Sequence, residues 1–453
     1  MSPIQLTAKQ IARWTDGTIL REATGSGMQF DSRLIEANEW FVILQGARDG
    51  HDFLPMAAAQ NCAGAIGQHM PTGWTGGFVQ VSDTLVAFQQ IAHGVRQEFR
   101  KPVVAITGSA GKTTTRALIA SVLQGLGTVH QTKGNFNNHI GVPKTITDAS
   151  GTEDAWVLEM GMSALGEIHD LQHIAEPDIR IITNVGAAHI EGCGSIEGVA
   201  QAKGELFAGA RPEDICCINL DDHRIKELPI PTGVHSLTYG KDNDADIRLC
   251  QSTIKDWTTH VILETPIGTI DATIPVPGEF MALNACAAVA VGIAAGVSQK
   301  GIVQGLEQYQ PVGMRMRLET VGNIRIINDA YNANPLSMKA ALNALASQST
   351  NMNVALLGDM LEMGSIEDAV HDEVLQYALG LPVSIGIVGP RFQKSWTAMQ
   401  HNFPNQTLVC TCDNSTQVLE HWTPPNDDVT ILLKGSRGMR MENILSTIQQ
   451  RSK

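Results

Sequence analysis

A short glycine-rich segment between an apolar run and a helical pattern is the feature that most constrains how this chain folds. Pro102–Thr107 is predicted to form a buried strand, and Thr113–Leu123 has the pattern of a helix. Glycines between a strand and a helix let backbone N–H groups turn toward a phosphate chain, and the helix N-terminus adds partial positive charge. The segment therefore predicts a loop for nucleotide phosphates, in which Lys112 reaches the terminal oxygens and the Thr113 hydroxyl ligates Mg²⁺.

The spacing of this loop differs from the common phosphate loop, which has a glycine five positions before its second glycine. Here Ile106 stands at that position and the first glycine is Gly108, so the loop is a shortened variant. A chance glycine-rich turn is the alternative, but Gly-Lys-Thr-Thr directly before a helix favours ATP as the ligand. The predicted ATP-binding loop comprises Gly108, Ser109, Ala110, Gly111, Lys112, Thr113 and Thr114.

Alternating strand and helix patterns predict an α/β protein with several domains. At about 150 residues per domain, the 453 residues suggest roughly three. We predict a small N-terminal α/β domain at 1–83, a central domain at 84–312 and a C-terminal Rossmann-like α/β domain at 313–453. The central part has the pattern of a doubly wound, mostly parallel sheet, and the alternating stretches of 245–275 predict antiparallel strands at one edge.

Composition and charge exclude several classes of protein. The net charge of −14 argues against a nucleic-acid-binding surface, which needs clustered Lys and Arg. With 43% hydrophobic and 17% charged residues, the chain can build large cores. The first residues have no apolar signal core, no apolar run has the length of a transmembrane segment, and the eight cysteines show no Cys-x-x-Cys pair. We therefore expect a cytoplasmic protein with free, buried thiols.

Three single residues in the central part are candidates for metal binding or catalysis. Glu159 follows the apolar run Trp156–Leu158, so its carboxylate is expected at the ligand-binding edge of a parallel sheet. His189 also follows a predicted strand, although Mg²⁺ prefers oxygen ligands and a lone histidine is more often structural. Lys203 lies in a predicted helix and is, by itself, typical of a surface lysine. A functional role for these three residues is supported only when they are considered together.

Several motifs together resemble the Mur ligase family, the ATP-dependent enzymes that build the peptide stem of peptidoglycan. The shortened loop has the family's own form, and Asn135–Asn138 followed by Gly141–Pro143 matches a second signature. Asn328–Met338 is similar to a signature of the branch that adds D-alanyl-D-alanine. The branch that adds the third amino acid usually carries an Asp-Asn-Pro-Arg motif, which this sequence lacks. The resemblance covers essentially the whole chain.

The resemblance implies roles for the candidates of the central part. Thr113, Glu159 and His189 would bind metal, and Lys203 matches a lysine that the family carbamylates, so that the carbamate oxygens help to bind a second Mg²⁺. Lys112 joins Glu159, His189 and Lys203 as the implied catalytic set.

The resemblance also implies where the rest of ATP binds. The family often has Gly-x-His-Asn before an asparagine on the adenine side. Here Phe280 and Met281 replace the polar pair, while Asn284 remains. In the C-terminal part, Arg315 and Asp329 match residues that contact the phosphates and the ribose.

The implied substrates are a UDP-N-acetylmuramoyl-tripeptide and D-alanyl-D-alanine. Independently of the family, a serine and an arginine side by side, as in Asp31–Arg33, are good donors to phosphate. The residues assigned to the UDP-linked substrate are Ser32, Arg33, Gly46, Asp49, His51, Asn135, Asn137 and Asn138. The residues assigned to the dipeptide are Asn332, Asn334, Ser337, Asp359, Lys434 and Arg437.

The implied activity is ATP-dependent amide-bond formation through an acyl phosphate, by a monomeric enzyme. A related amino-acid-adding ligase and a folylpolyglutamate-type ligase are alternatives, although the segment Asp31–Phe53 argues against a folate acceptor. A nucleotide-dependent ATPase switch is a third, and a binding protein that has lost catalysis is a fourth. The intact catalytic set disfavours the fourth. Diaminopimelate and lysine both stay open as the third residue of the tripeptide.

Overall fold

The computed structural model describes residues 2–46, 48–348, 350, 352–425 and 428–451. Three successive groups of strands and helices follow one another along the chain, and each is built around a sheet whose strand pairs are mostly parallel. The predicted α/β class is therefore confirmed.

The N-terminal part contains a five-stranded sheet, a two-stranded sheet and two α-helices. Its elements are β1 (Gln5–Thr7), α1 (Ala8–Thr15), β2 (Thr18–Arg21), β3 (Thr24–Ser26), β4 (Met28–Gln29), β5 (Trp40–Val42), α2 (Leu54–Ala59), β6 (Gly64–Gly67) and β7 (Gly77–Gln80). The larger sheet has the order β2-β7-β6-β5-β4, in which only β2 and β7 are antiparallel, and β1 pairs with β3. The buried indole of Trp40 donates to the carbonyl of Leu6 at 2.9 Å and so ties the two sheets together.

The central part begins with a long helix and continues as strand–helix units. Its first elements are α3 (Thr84–Glu98), β8 (Val103–Thr107), α4 (Lys112–Leu123), β9 (Val129–Gln131), α5 (Gly141–Thr147), β10 (Ala155–Glu159), α6 (Glu167–Ala175), β11 (Ile179–Ile182), α7 (Ile190–Cys193) and α8 (Ile196–Ala208). The remaining elements are β12 (Ile215–Asn219), α9 (His223–Lys226), β13 (His235–Gly240), β14 (Ile247–Lys255), β15 (Thr258–Glu264), β16 (Ile270–Ile274), α10 (Glu279–Ala294) and α11 (Gln299–Glu307).

The central sheet has nine strands in the order β16-β15-β14-β13-β12-β11-β8-β10-β9. The strands from β9 to β14 pair in parallel, and β14, β15 and β16 form an antiparallel edge, as the alternating pattern of 245–275 predicted. Every residue of β8, β10 and β11 is buried because helices cover both faces of the sheet. This burial explains why their sequences are nearly continuous apolar runs.

The C-terminal part repeats the same architecture with six strands. Its elements are β17 (Arg317–Val321), β18 (Ile324–Asp329), α12 (Pro335–Ala346), β19 (Met352–Gly358), α13 (Glu367–Leu379), β20 (Ser384–Val388), α14 (Pro390–Met399), β21 (Cys410–Cys412), α15 (Val418–His421), β22 (Val429–Lys434) and α16 (Glu442–Arg451). The order is β17-β18-β22-β19-β20-β21, and only β17 runs antiparallel to its neighbour. The domain boundaries near 83 and 313 stay predictions, but the change of sheet falls between β7 and β8 and between β16 and β17.

The expectation of free, buried thiols holds for most of the cysteines. All eight are free, and six of them are buried. Cys62 is partly exposed and Cys250 is exposed, so two of the eight depart from the expectation.

A buried ion pair connects two neighbouring strands of the central sheet, and it leads to a prediction about stability. Arg180 on β11 and Asp214 before β12 lie 2.9 Å apart, and both side chains are about 1% exposed. We expect Asp214→Ala to lower the free energy of unfolding by about 3–5 kcal/mol, because it leaves a buried guanidinium without its counter-charge. Calorimetric unfolding measures the effect. Glu22→Ala, which breaks the exposed pair with Lys9, is the control, and equal losses in the two variants would contradict the prediction.

Candidate active site

The glycine-rich loop follows β8, which lies inside the parallel part of the central sheet. β8 pairs with β10 on one side and β11 on the other, so the residues after these three strands meet at one edge. The Thr183 hydroxyl, just after β11, donates to the carbonyl of Ala110 at 2.8 Å. The side-chain oxygen of Asn184 accepts from the N–H of Ala110 at 2.9 Å. The residues after β11 therefore hold the loop in shape.

Glycine is required at position 108 because the backbone there passes very close to Thr183. Its φ is +154°, and a Cβ atom there would lie 1.9 Å from the Thr183 hydroxyl oxygen. No side chain fits, which explains physically why the loop begins with glycine.

Lys112 is the first residue of α4, and its side chain folds back over the loop that precedes the helix. Its ammonium group donates to the carbonyl of Gly108 at 2.6 Å. Burial lowers the pKa of Lys112, and the charge of Arg315 lowers it further, while the carboxylate of Glu159 opposes the shift. Arg315 is thus a second cation near the loop, and two cations together suit an anion with several charges.

Two hydrogen-bond donors and one guanidinium lie against the carboxylate of Glu159, which is 2% exposed at the end of β10. The Thr113 hydroxyl donates at 2.8 Å and the side-chain amide of Asn137 at 2.9 Å. The Nε of Arg116, one turn further along α4, lies 3.4 Å from the same carboxylate. Two residues predicted to share a metal, Thr113 and Glu159, are therefore in direct contact.

Lys203 is buried and His189 is partly buried close to the loop, although neither makes a described contact with Glu159. Burial is the main cause that lowers the pKa of His189 to about 4, and the charges of Lys112 and Lys203 contribute. Lys203 on α8 is 1% exposed, and burial lowers its pKa well below the ordinary value for lysine. The surface lysine that the sequence alone suggested is thus a buried amine within electrostatic reach of the loop.

A cavity of ≈ 670 Å³ extends from the loop to the C-terminal part. It collects most of the predicted site residues from both parts of the chain. Those that line it are Ser109, Ala110, Gly111, Lys112, Thr113, Thr114, Asn135, Asn137, Asn138, Glu159, His189, Asn284, Arg315, Asp329, Asn332, Asn334, Ser337 and Lys434.

The C-terminal wall of the cavity is held by polar contacts of its own. The Lys434 ammonium at the end of β22 donates to Asp329 at 2.5 Å and to the carbonyl of Asn332 at 3.1 Å. Asn334 caps α12 by accepting from the Ser337 N–H at 2.9 Å. The side-chain amide of Asn334 also donates to the carbonyl of Ser109 in the phosphate loop, at 3.4 Å. These contacts give Asn334 and Ser337 a structural role beside the predicted one.

The residues that the resemblance assigns to the adenine side lie on α10. Asn284 stands beside the loop, and its amide nitrogen is 3.7 Å from the sulfur of Met281. Phe280 lines the cavity, whereas Met281 is fully buried in the core. Of the two residues that replace the family's polar pair, only Phe280 can therefore touch a ligand.

The residues predicted to bind UDP in the N-terminal part lie outside this cavity. The guanidinium of Arg33, which is exposed, pairs with Asp31 at 2.6 Å, and Ser32 is buried against Met56. This guanidinium is therefore already paired with a carboxylate, and whether it binds phosphate stays a prediction.

A second group of these residues surrounds His51. Its Nδ1 lies 2.7 Å from Asp49, and its ring stacks on His69 with centroids 3.9 Å apart. The Nε2 of His51 is buried and has no hydrogen-bond partner among the described residues. Gly46 lies nearby in an exposed turn.

Asp359 and Arg437 also lie outside the cavity. Asp359 is fully buried and accepts from the N–H groups of Arg391 and Phe392 at 3.1 and 3.0 Å, so it caps the start of α14. Arg437 is exposed and pairs with Glu442. Their predicted contact with a dipeptide therefore rests on the resemblance alone.

Two residues near the site were assigned no role from the sequence. Arg116 is 1% exposed, and a charged residue within the apolar helix 112–123 was the signal that could have found it. Tyr331 lines the cavity and lies against Arg315. It belongs to the segment 328–338, but only the fold brings it to that arginine.

Among the residues that the structure describes, no three His, Cys, Asp or Glu side chains form a group that could hold a metal. A metal here would need the hydroxyl, a carbamate or substrate oxygens as further ligands. No helix in the described ranges has the length and apolar character needed to cross a membrane.

Comparisons with known proteins agree with this architecture. The model of the Mur ligase middle domain matches residues 106–292, and the model described as Mur ligase, glutamate ligase domain matches 314–449. The UDP-N-acetylmuramoyl-tripeptide–D-alanyl-D-alanine ligase of Bacillus subtilis (strain 168) is 34% identical, over 98% of each chain. The ligase of the same name from Escherichia coli (strain K12) is 32% identical, over 99% of each chain.

The solved structures give the same result. A crystal structure of MurF from Acinetobacter baumannii superimposes with a TM-score of 0.88, at 28% identity and with 99% of each chain covered. This chain belongs to the Mur ligase family. The resemblance found in its motifs is thereby confirmed.

The close packing at Gly108 gives a prediction for the loop. We expect Gly108→Ala to weaken ADP binding by about five- to 150-fold, because a strained backbone and an overlap with Thr183 cost on the order of 1–3 kcal/mol. Isothermal titration calorimetry measures the affinity. Gly186→Ala is the matched control, since its Cβ would meet other atoms only at 3.9 Å. Equal affinities for the two variants would contradict the account of the loop.

Proposed function

We propose that this chain is an ATP-dependent ligase that joins D-alanyl-D-alanine to the terminal carboxylate of a UDP-N-acetylmuramoyl-tripeptide. The products are the UDP-linked pentapeptide precursor of peptidoglycan, ADP and phosphate. One observation carries the proposal. The cavity joins the phosphate loop around Lys112 to the segment 328–338, and relatives that bear this enzyme name match the chain over nearly its full length.

ATP is the phosphate donor in this proposal. The N–H groups of the loop and the N-terminus of α4 face one end of the cavity, where a phosphate chain is stabilised by the helix dipole. Lys112 and Arg315 supply positive charge from the two sides of the cavity. Asn284 lies toward the base and Asp329 toward the ribose, as the family resemblance implies.

Mg²⁺ is the metal in this proposal. Thr113, Glu159 and His189 would be metal ligands, and the carbamate of Lys203 would help to bind a second Mg²⁺. The residues present fit this role. The imidazole of His189, with its pKa lowered to about 4, is neutral at pH 7 and keeps a lone pair for a metal. The lowered pKa of Lys203 favours the neutral amine, which is the form that reacts with carbon dioxide. When bound, Mg²⁺ would neutralise charge on the transferring phosphoryl group.

The proposed chemistry has two steps. An oxygen of the tripeptide carboxylate attacks the γ-phosphorus of ATP, the bond from that phosphorus to the bridging oxygen breaks, and ADP leaves. The free amine of D-alanyl-D-alanine then attacks the acyl carbon, the carbon–oxygen bond to phosphate breaks, and the amine gives up a proton. Phosphorylation is needed because a carboxylate is a poor electrophile. Lys112 and Arg315 stabilise the charge of the first step.

The substrates would approach from opposite sides. Asn135, Asn137 and Asn138 line the cavity next to the N-terminal part, which is where the UDP-linked substrate is proposed to bind. Asn332 and Lys434 line it on the C-terminal side, where the dipeptide is proposed to bind. Enclosure between the two parts would keep water from the acyl phosphate.

We further propose that the enzyme is monomeric and works in the cytoplasm. A single chain supplies both walls of the cavity, so no second copy is needed to complete it. Eight free cysteines suit a reducing compartment.

Loss of the loop ammonium tests the proposal. We expect Lys112→Ala to lower ADP release by several orders of magnitude, because it removes the charge that stabilises the transferring phosphoryl group. A coupled assay with ATP, the UDP-tripeptide and D-alanyl-D-alanine measures the rate. Lys101→Ala is the control, since this exposed lysine pairs with Asp154 away from the cavity.

Three results would contradict the proposal. Near-normal turnover by Lys112→Ala would remove the phosphate loop from the reaction. Sustained ADP release at the full rate by the unaltered enzyme, with no dependence on D-alanyl-D-alanine, would favour an ATPase switch. Turnover with a UDP-dipeptide and a single amino acid instead would favour a related ligase.

A further inference from the structure

Arg315 lies over the ring of Tyr331 in the cavity wall. The guanidinium carbon is 3.7 Å from the centre of the ring, well within the distance of about 6 Å at which a cation is attracted to an aromatic face. The two segments are also joined by the backbone, because the N–H of Tyr331 donates to the carbonyl of Met314 at 3.2 Å. Both side chains line the cavity.

In the part of the chain that the structure describes, the guanidinium of Arg315 has no other fixed partner. Among the described residues, no hydrogen bond or ion pair to a carboxylate involves it, so its five N–H donors are available to a ligand. Its charge acts on Lys112 and Arg116, whose pKa values it helps to lower. The cation is therefore close to the phosphate loop and not neutralised.

Asp329, a carboxylate that lines the same cavity, is bonded to other groups. Asp329 accepts from Lys434 at 2.5 Å through one oxygen and from the N–H of Met316 at 3.1 Å through the other. A carboxylate partner would fix Arg315 but cancel its charge. An aromatic face fixes a guanidinium and leaves its full charge and its donors for the ligand.

We propose that Tyr331 is a positioning residue that holds Arg315 toward the terminal phosphates of ATP. This inference rests on the proposed function and assigns to Tyr331 a task that it performs through the arginine. The hydroxyl of Tyr331 makes no described hydrogen bond, so the ring is the part that matters. A phenylalanine should therefore serve equally well.

A double-mutant cycle tests this inference, with ADP release measured as a function of ATP concentration. Tyr331→Phe should keep kcat/KM for ATP within about twofold of the unaltered enzyme. Tyr331→Leu should lower it about tenfold, as expected for the loss of a desolvated cation–ring contact. Arg315→Ala should lower it about a hundredfold, as for other donors to a transition state. In the Arg315→Ala background, Tyr331→Leu should add less than about twofold.

Two results would overturn the inference. Effects of Tyr331→Leu and Arg315→Ala that multiply would mean that Tyr331 acts directly, for example by stacking on the base. A Tyr331→Leu enzyme as active as the unaltered one would mean that the ring positions nothing. Thermal unfolding identifies misfolded variants, and Tyr331→Met replaces the leucine variant if that one fails to fold.

The inference and the proposed function can fail separately. If the unaltered enzyme shows no ligase turnover, the proposed function fails. The same cycle is then measured as ATP affinity by calorimetry. Coupled losses of affinity would still support the inference, and independent losses would still overturn it.

Discussion

The phosphate loop keeps its shape because the residues after the neighbouring strand hold it. Ala110 is bonded through its carbonyl to Thr183 and through its N–H to Asn184, and Gly108 passes so close to Thr183 that no side chain fits. The loop is therefore fixed by the parallel sheet and does not depend on a ligand for its form. Glu159 and His189 follow strands of the same sheet, so the loop and its possible metal ligands share one rigid frame.

The C-terminal part completes the site. Its residues reach the loop through the Asn334 amide, which lies 3.4 Å from the carbonyl of Ser109. Lys434 and Asp329 neutralise one another within the C-terminal wall, whereas Arg315 has no carboxylate partner among the residues that the structure describes and lines the same cavity as Lys112. Neither part of the chain contains the whole cavity. A ligase that must exclude water from an acyl phosphate benefits from such a division, because closing the two parts together can coincide with substrate binding.

Local patterns in the sequence predicted the frame well. The strand–loop–helix order around the phosphate loop, the antiparallel edge of the central sheet and the helix that begins at Pro335 all follow from periodicity and from glycine or proline placement. The motifs were specific enough to indicate the family. Most of the assigned nucleotide residues then proved to line one cavity, since the carboxyl ends of parallel strands must meet.

Long-range contacts were the part that the sequence could not predict. Nothing local distinguishes the buried Lys203 from a surface lysine, because its environment is built from distant segments. Asp359 was assigned to the dipeptide through the resemblance, and that assignment stays a prediction, but no local pattern showed that Asp359 also caps α14, more than thirty positions further along the chain. The contact between Tyr331 and Arg315 depends on how two segments of the C-terminal part fold together. Such pairings set charge and geometry in the site without leaving a periodic signal.

The central claim is that the cavity activates a carboxylate by phosphorylation. It is tested most directly with a UDP-tripeptide whose terminal carboxylate carries ¹⁸O in both oxygens. After turnover with ATP and D-alanyl-D-alanine, mass spectrometry of the released phosphate measures the label. The account predicts one ¹⁸O atom in each phosphate, because the carboxylate oxygen that attacks phosphorus leaves with it. Phosphate without label would contradict the account, since ATP would then be cleaved without forming an acyl phosphate.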